Sequence, residues 1–306
     1  MKRKFCLFLT ILLFFIITAD ATKRALIIGI GDYPVENGWS KINGDKDIPL
    51  VEATLLRNGF DSKHITKLKN EQATYLAICK EFEHLISQTT PKDTIYIHFS
   101  GHGQRITDLN GDEIKDNKDE AWIPYDAHIA FKPGIYEGEK HLVDDQINEY
   151  LHRLRQNVGA DGKIIVIADA CHSGDSTRSE EEENSSNSCI RGTCKDFSIS
   201  NIKNTIKRIF SFFSPEDSIT TQANINPPQN LPLEWIFISA CQDYQTNQEY
   251  NGVGSLTTVL YNEKDFFTKI TLESLSVKLE NFYLENNYIQ RPKIECPNGI
   301  KNNIFL

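Results

Sequence analysis

The chain has 306 residues, a formal net charge of −9 and a pI near 5.4, with 40% apolar and 25% charged residues. That balance supplies enough apolar surface for a large core and excludes disorder throughout. The acidity argues against a general nucleic-acid binder, which needs a basic face, and seven cysteines are too few at this length for a disulfide scaffold.

Residues 1–21 have the three parts of a secretory signal: Lys2-Arg3-Lys4, an apolar run from Phe5 to Ile17, and small residues at Ala19 and Ala21. The apolar run is short for a membrane span, so a secreted or periplasmic chain with no stable membrane span after signal removal is expected; an uncleaved anchor is the alternative. Residues 24–30 (RALIIGI), 94–99 (TIYIHF), 163–168 (KIIVIA) and 235–239 (WIFIS) are continuous Ile/Val-rich runs. Such runs suit parallel strands covered on both faces. Helical spacing lies between them. A helix starting at a cap on Asp47 ends at Asn58-Gly59, and others cover 72–87, 144–156 and 270–285. The alternation predicts an α/β fold: a three-layer α/β/α sandwich with a mostly parallel sheet. Residues 177–230, with Glu180–Glu183 and an Asn/Ser run, form a polar insertion expected to be mobile to about residue 195 and to hold a short amphipathic helix over 201–213. It divides one catalytic domain into parts 22–176 and 231–306. The chain after the 270–285 helix has no assignable pattern.

In open parallel sheets, ligands bind beyond the carboxyl ends of the strands. The residues there are Gly31-Asp32-Tyr33, Ser100-Gly101-His102-Gly103, Asp169-Ala170-Cys171-His172-Ser173-Gly174 and Ala240-Cys241-Gln242-Asp243. A cysteine and a histidine on adjacent strand ends form a thiol–imidazole pair. The amides of Gly103 and Cys171 are candidates to hold an oxyanion. His172 is a rival base and Cys241 a rival thiol, read here as buried.

GHG after one buried strand and DACHSG after the next, followed by SACQDYQTNQE after the fourth, resemble the metacaspase branch of the caspase-like cysteine peptidases. The resemblance covers roughly residues 23–175 and 232–262. It implies a caspase-like fold, with His102 as the catalytic histidine and Cys171 as the nucleophile of a cysteine endopeptidase. Protein or peptide substrates are then the partners, with a basic residue before the cut. Carboxylates at Asp169, Asp47 and Asp243 favour such a side chain by charge, and the resemblance adds Ser100 to that pocket. Asp47 could equally be a plain helix cap, and Asp243 a loop acid.

The acidic stretch 108–120 has oxygens near EF-hand spacing, but Glu113 stands where the loop needs glycine. The resemblance suggests Ca2+ as a regulator, held by Asp119 with Asp144 and Asp145, although Arg178 stands near where the family tends to supply an acid. No cofactor is required for the chemistry. Self-cleavage in the insertion would use exposed basic residues: Arg178, Arg191, Lys195, Lys207 or Arg208. Cys189 and Cys194 could pair in an oxidising compartment. A monomer is the default state. A caspase-like binding or scaffold protein with little turnover, or another thiol hydrolase, are the alternatives.

Overall fold

The computed structural model describes residues 21–108, 111, 117–171, 188–193, 196–199, 234–242, 245–262 and 270–297. At its centre is a six-stranded sheet. Its strands are β1 (Lys23–Gly29), β2 (Ile65–Lys69), β3 (Thr94–Ser100), β7 (Lys163–Asp169), β9 (Ile236–Ser239) and β12 (Lys293–Glu295), in the order β12-β9-β7-β3-β1-β2. All neighbours are parallel except β12, which pairs antiparallel with β9 at the edge. Part of the segment after 285, which has no legible pattern in the sequence, is this edge strand.

The sheet is buried on both sides, which explains the continuous apolar runs. Leu26, Ile28, Ile97 and Val166 face helices α2 (Tyr75–Gln88) and α3 (Asp144–Val158). Their strand neighbours Ala25, Ile27, Ile165 and Ile167 face α1 (Gly44–Arg57), α4 (Ser255–Asn262) and α5 (Leu272–Glu285). The α/β sandwich with a mostly parallel sheet is therefore present. Thr74 and Thr271 start α2 and α5 by accepting from the amides of Ala77 and Ser274.

Two expectations are corrected. Helix α1 begins three residues before Asp47, with Asn43 at its N-cap position. Asp47 is therefore the fourth helical residue and no cap; its fully buried carboxylate accepts from the amide of Gly254 at 3.0 Å. Residues 188–190, read in the sequence as mobile loop, form a strand, β8 (Ser188–Ile190). It pairs antiparallel with β10 (Gln248–Tyr250), which also pairs with β11 (Val253–Gly254). A third sheet, β4 (Gly103–Thr107), β5 (Lys118–Trp122) and β6 (Leu142–Val143), leaves the end of β3 through His102. The signal-like residues 1–20, most of the insertion and the helix expected over 201–213 lie outside the described residues. No described helix is long and apolar enough to cross a membrane.

Candidate active site

Strands β3 and β7 are adjacent and parallel, with Ser100 paired to Asp169. His102 and Cys171 each stand two residues further on, at the same level of neighbouring strands spaced about 4.8 Å apart. Both are fully buried. The His102 amide donates to the Tyr33 hydroxyl at 3.0 Å, and the Tyr33 hydroxyl donates to the carbonyl of Ile123. The imidazole stacks on Trp39, with ring centres 4.8 Å apart. Its Nε2 lies 2.9 Å from the carbonyl oxygen of Ser40. A carbonyl only accepts, so Nε2 carries the proton and Nδ1 is the open acceptor. Nδ1 is buried with no hydrogen-bond partner among the described residues. Burial pushes the imidazole down to about 4, against the opposing Ser40 hydrogen bond, so the ring is neutral at pH 7 and Nδ1 is unprotonated. The Cys171 thiol donates to the carbonyl of Gln245 at 3.0 Å.

The main surprise is what occupies the space in front of this pair. Directly after β8, the Arg191 amide donates to the carbonyl of Asn247 at 3.0 Å, which extends the β8–β10 pairing by one residue. The Arg191 carbonyl oxygen then accepts from the Cys171 amide at 2.9 Å and the Gly103 amide at 3.4 Å. These are the two amides expected to hold an oxyanion. Gly192 follows with its backbone against Cys171; a Cβ there would overlap the Cys171 carbonyl and crowd the Cys171 side chain and the Gly103 carbonyl.

The Arg191 side chain is fully buried among three carboxylates. Nη1 donates to Asp47 Oδ2 at 2.7 Å and lies 3.5 Å from Asp169 Oδ1. Nε donates to Glu249 Oε2 at 3.1 Å. Nη2 lies 3.1 Å from the same oxygen, in charge contact but off the hydrogen-bond direction. Burial works against the guanidinium, but the three carboxylates outweigh it and raise its pKa. Burial also works to raise the Asp169 carboxyl; Arg191 and a hydrogen bond from Asn247 (2.9 Å) outweigh it and hold the group low. Asp47 is pulled up by burial against the same guanidinium; its 2.7 Å contact to Arg191 is that of an ionised pair.

Of the residues singled out in the sequence, the structure brings together His102, Gly103, Asp169, Cys171, Asp47 and Arg191. Ser100 lies below the pocket, 2.9 Å from His98 Nε2, which is in turn 3.3 Å from Thr257 Oγ1. Arg191 is no exposed cleavage site; its side chain fills the acidic pocket of its own chain. Asp243, His172, Arg178, Cys194 and Lys195 lie outside the described residues. Cys241 is buried, and its thiol is raised by its contact with Cys171 and by burial. Asp119 sits on β5, and Asp144 and Asp145 open α3. Among the described residues no three acidic, histidine or cysteine side chains converge as a cation site. Glu249, Asn247 and Thr257 carry no local signal in the sequence that marks them as site residues. Glu249 and Asn247 do stand in the SACQDYQTNQE segment, but charge alone pointed there to Asp243.

The sequence profile of the family described as "Metacaspase, peptidase C14 domain" matches residues 23–178, just over half the chain. This chain belongs to the metacaspase family. Its catalytic domain is that of a cysteine-type peptidase. Metacaspase-1 of Schizosaccharomyces pombe is 24% identical over 94% of this chain and 70% of its own length. Metacaspase-1B of Aspergillus fumigatus is 32% identical over 50% of this chain and 35% of its own length. The chain thus spans about a third of some of these curated relatives. A solved structure, protein GSU0716 from Geobacter sulfurreducens, superposes with a TM-score of 0.62 at 20% identity, over 93% of this chain and 98% of its own, and shares the fold.

In the peptidase, burial also holds His98 down to about 4 and His141 down to about 3. All three histidines take up protons near 6.5 when unfolded. Between those values the unfolded chain binds more protons, so stability falls as pH drops from about 6.5 towards 4. Each histidine adds up to about 1.4 kcal/mol per pH unit in that window. The expected result is a melting temperature that falls steeply below pH 6.5. A flat profile from pH 7 to 4.5 would contradict the buried neutral rings.

Proposed function

We propose that this metacaspase hydrolyses peptide bonds after arginine or lysine, and that its first substrate is its own Arg191–Gly192 bond. One observation carries the reading. The same residue puts its guanidinium among Asp47, Asp169 and Glu249 and its carbonyl oxygen on the amides of Cys171 and Gly103. A peptide substrate must do both at once, with side chain in the specificity pocket and reacting carbonyl on the oxyanion donors.

The chemistry follows from the pair. The Cys171 thiol gives its proton to His102 Nδ1 and the sulfur attacks the carbonyl carbon. Negative charge builds on the oxygen held by the two amides. As the C–N bond breaks, the imidazolium returns the proton to the leaving amine. Water, deprotonated by the same ring, then hydrolyses the thioester to a carboxylate and the free thiol. The Ser40 carbonyl holds the tautomer throughout, in the role that an orienting group plays for a catalytic histidine.

Residues 1–21 support export to a periplasm or the medium, where protein substrates would be met. Calcium enters only as a regulator suggested by family resemblance. Short fluorogenic peptides ending in Arg, Lys or Asp test the reading, with calcium and with chelator. Rapid turnover after Arg and Lys, with none after Asp, is expected, because three buried carboxylates repel an acidic side chain. Turnover after Asp overturns the basic preference. Equal rates in chelator remove calcium. A scaffold protein would turn over none of the peptides.

A further inference from the structure

We infer that Glu249 makes the specificity pocket a reader of arginine over lysine. The inference rests on the basic-residue reading above and deepens it. A pocket of two carboxylates around one positive tip takes either side chain. Asp47 and Asp169 form such a pocket, and both meet the guanidinium only at Nη1. Nη1 has a further acceptor there, the carbonyl of Asp169 at 3.2 Å.

Glu249 does something different. It comes from β10, on the far edge of the guanidinium, and receives the hydrogen bond of Nε at 3.1 Å with Nη2 at the same distance from the same oxygen. Nε is a donor partway along the side chain. Lysine has only methylene carbon there and a single ammonium at the tip. An ammonium that meets Asp47 and Asp169 therefore leaves Glu249 without its cation.

The geometry of Glu249 is built. Its side chain is almost fully buried. The Asn43 amide donates to Oε2 at 3.0 Å, and the Asn43 side-chain amide donates to Oε1. Asn43 sits at the start of α1, the same helix that supplies Asp47. Two elements distant in sequence thus hold the carboxylate in place before any ligand arrives. A buried carboxylate with neutral donors but no cation is costly. The pocket therefore penalises lysine as well as rewarding arginine.

The test compares kcat/KM for matched peptides ending in Arg and Lys. It uses the full chain after self-cleavage, the Arg191→Ala chain, whose pocket its own segment does not fill, and the Glu249→Gln variant of each. The expected wild-type preference for Arg is about 10-fold or more, the range that loss of a charge-paired fork gives. Glu249→Gln should lower the Arg value by about 10- to 100-fold, mostly through KM, and hold or raise the Lys value, so the preference for Arg is lost. The wild-type ratio needs no variant to fold. Equal turnover of Arg and Lys peptides by the wild type overturns the role of Glu249 while the basic preference stands. An Arg preference that survives Glu249→Gln does the same. If neither peptide is cleaved while a peptide ending in another residue is, or none is cleaved at all, the basic reading fails and the inference falls with it. Asn43→Ala, which loosens Glu249 and removes no charge, should give a smaller drop in the same ratio.

Discussion

The Cys171→Ala chain is expected to stay whole during incubation at pH 7, while the wild type separates into two chains, the second beginning at Gly192. The loss of rate should be at least about a thousandfold, because without the sulfur no thioester forms and only the oxyanion donors remain. The substitution removes one buried sulfur and its hydrogen bond to Gln245, so the fold should survive with a small loss of stability. N-terminal sequencing of the second chain decides the bond. A start elsewhere removes Arg191 as the first site, and an uncut wild type removes self-cleavage. Cut and uncut proteins should both elute as one body. Strands β9 and β12 and helices α4 and α5 all follow the cut, yet they belong to the same sheet and core as β1, β3 and β7. Phe197, also beyond the cut, is fully buried and pairs with β4 through the Arg105 carbonyl and the Thr107 amide.

Arg191→Ala has the second large effect, and it acts on stability and cleavage together. The wild type balances Asp47, Asp169 and Glu249 against one guanidinium, all at most 1% exposed. Removing the cation leaves three carboxylates in one buried space. Breaking a buried ion pair in this way costs about 3–5 kcal/mol, less where water enters the emptied pocket. The Arg191→Ala chain should melt well below wild type near pH 7 and lose cleavage at residue 191. Its deficit should shrink on mild acidification. Asp169 is held low by Arg191 in the wild type; without it, burial raises the carboxyl above its unfolded value. A raised pKa contributes stability below the unfolded pKa that is lost as pH rises through the folded one. Arg191→Lys keeps a charge for Asp47 and Asp169 but leaves Glu249 without a cation, so it should recover only part of the stability. A variant that melts with the wild type at pH 7 and is cut at the same place would sink the assignment.

The sequence alone determined the layers, the sheet core and the meeting of His102 with Cys171 at one sheet edge. Continuous Ile/Val runs such as 163–168 suit strands buried on both faces, and GHG and DACHSG each close such a run. Parallel pairing then carries His102 and Cys171 to one edge, because both follow the paired residues Ser100 and Asp169 by two positions. These features are local or periodic, so pattern reading reaches them. Short strands such as β8 and β12 are not, because three residues hold too little periodicity to separate strand from loop. The edge position of β12 and the pairing of β8 are legible only in the folded chain.

The buried acidic pocket around Arg191 is where tertiary structure decided most. In the sequence Asp47 fits a pocket carboxylate and, because it precedes an apolar helical pattern, a helix cap equally well. Its buried role depends on α1 starting at Gly44 and on Gly254, more than two hundred residues away, donating to it. Arg191 looked like an exposed basic residue in a polar loop. Its burial depends on three carboxylates from α1, β7 and β10 meeting at one point. Glu249 stands in the SACQDYQTNQE segment with nothing local to mark it. Composition and spacing report what one segment prefers. Which charge neutralises which is set by contacts across sequence separations of 22 to 144 residues, and those exist only after the sheet has assembled.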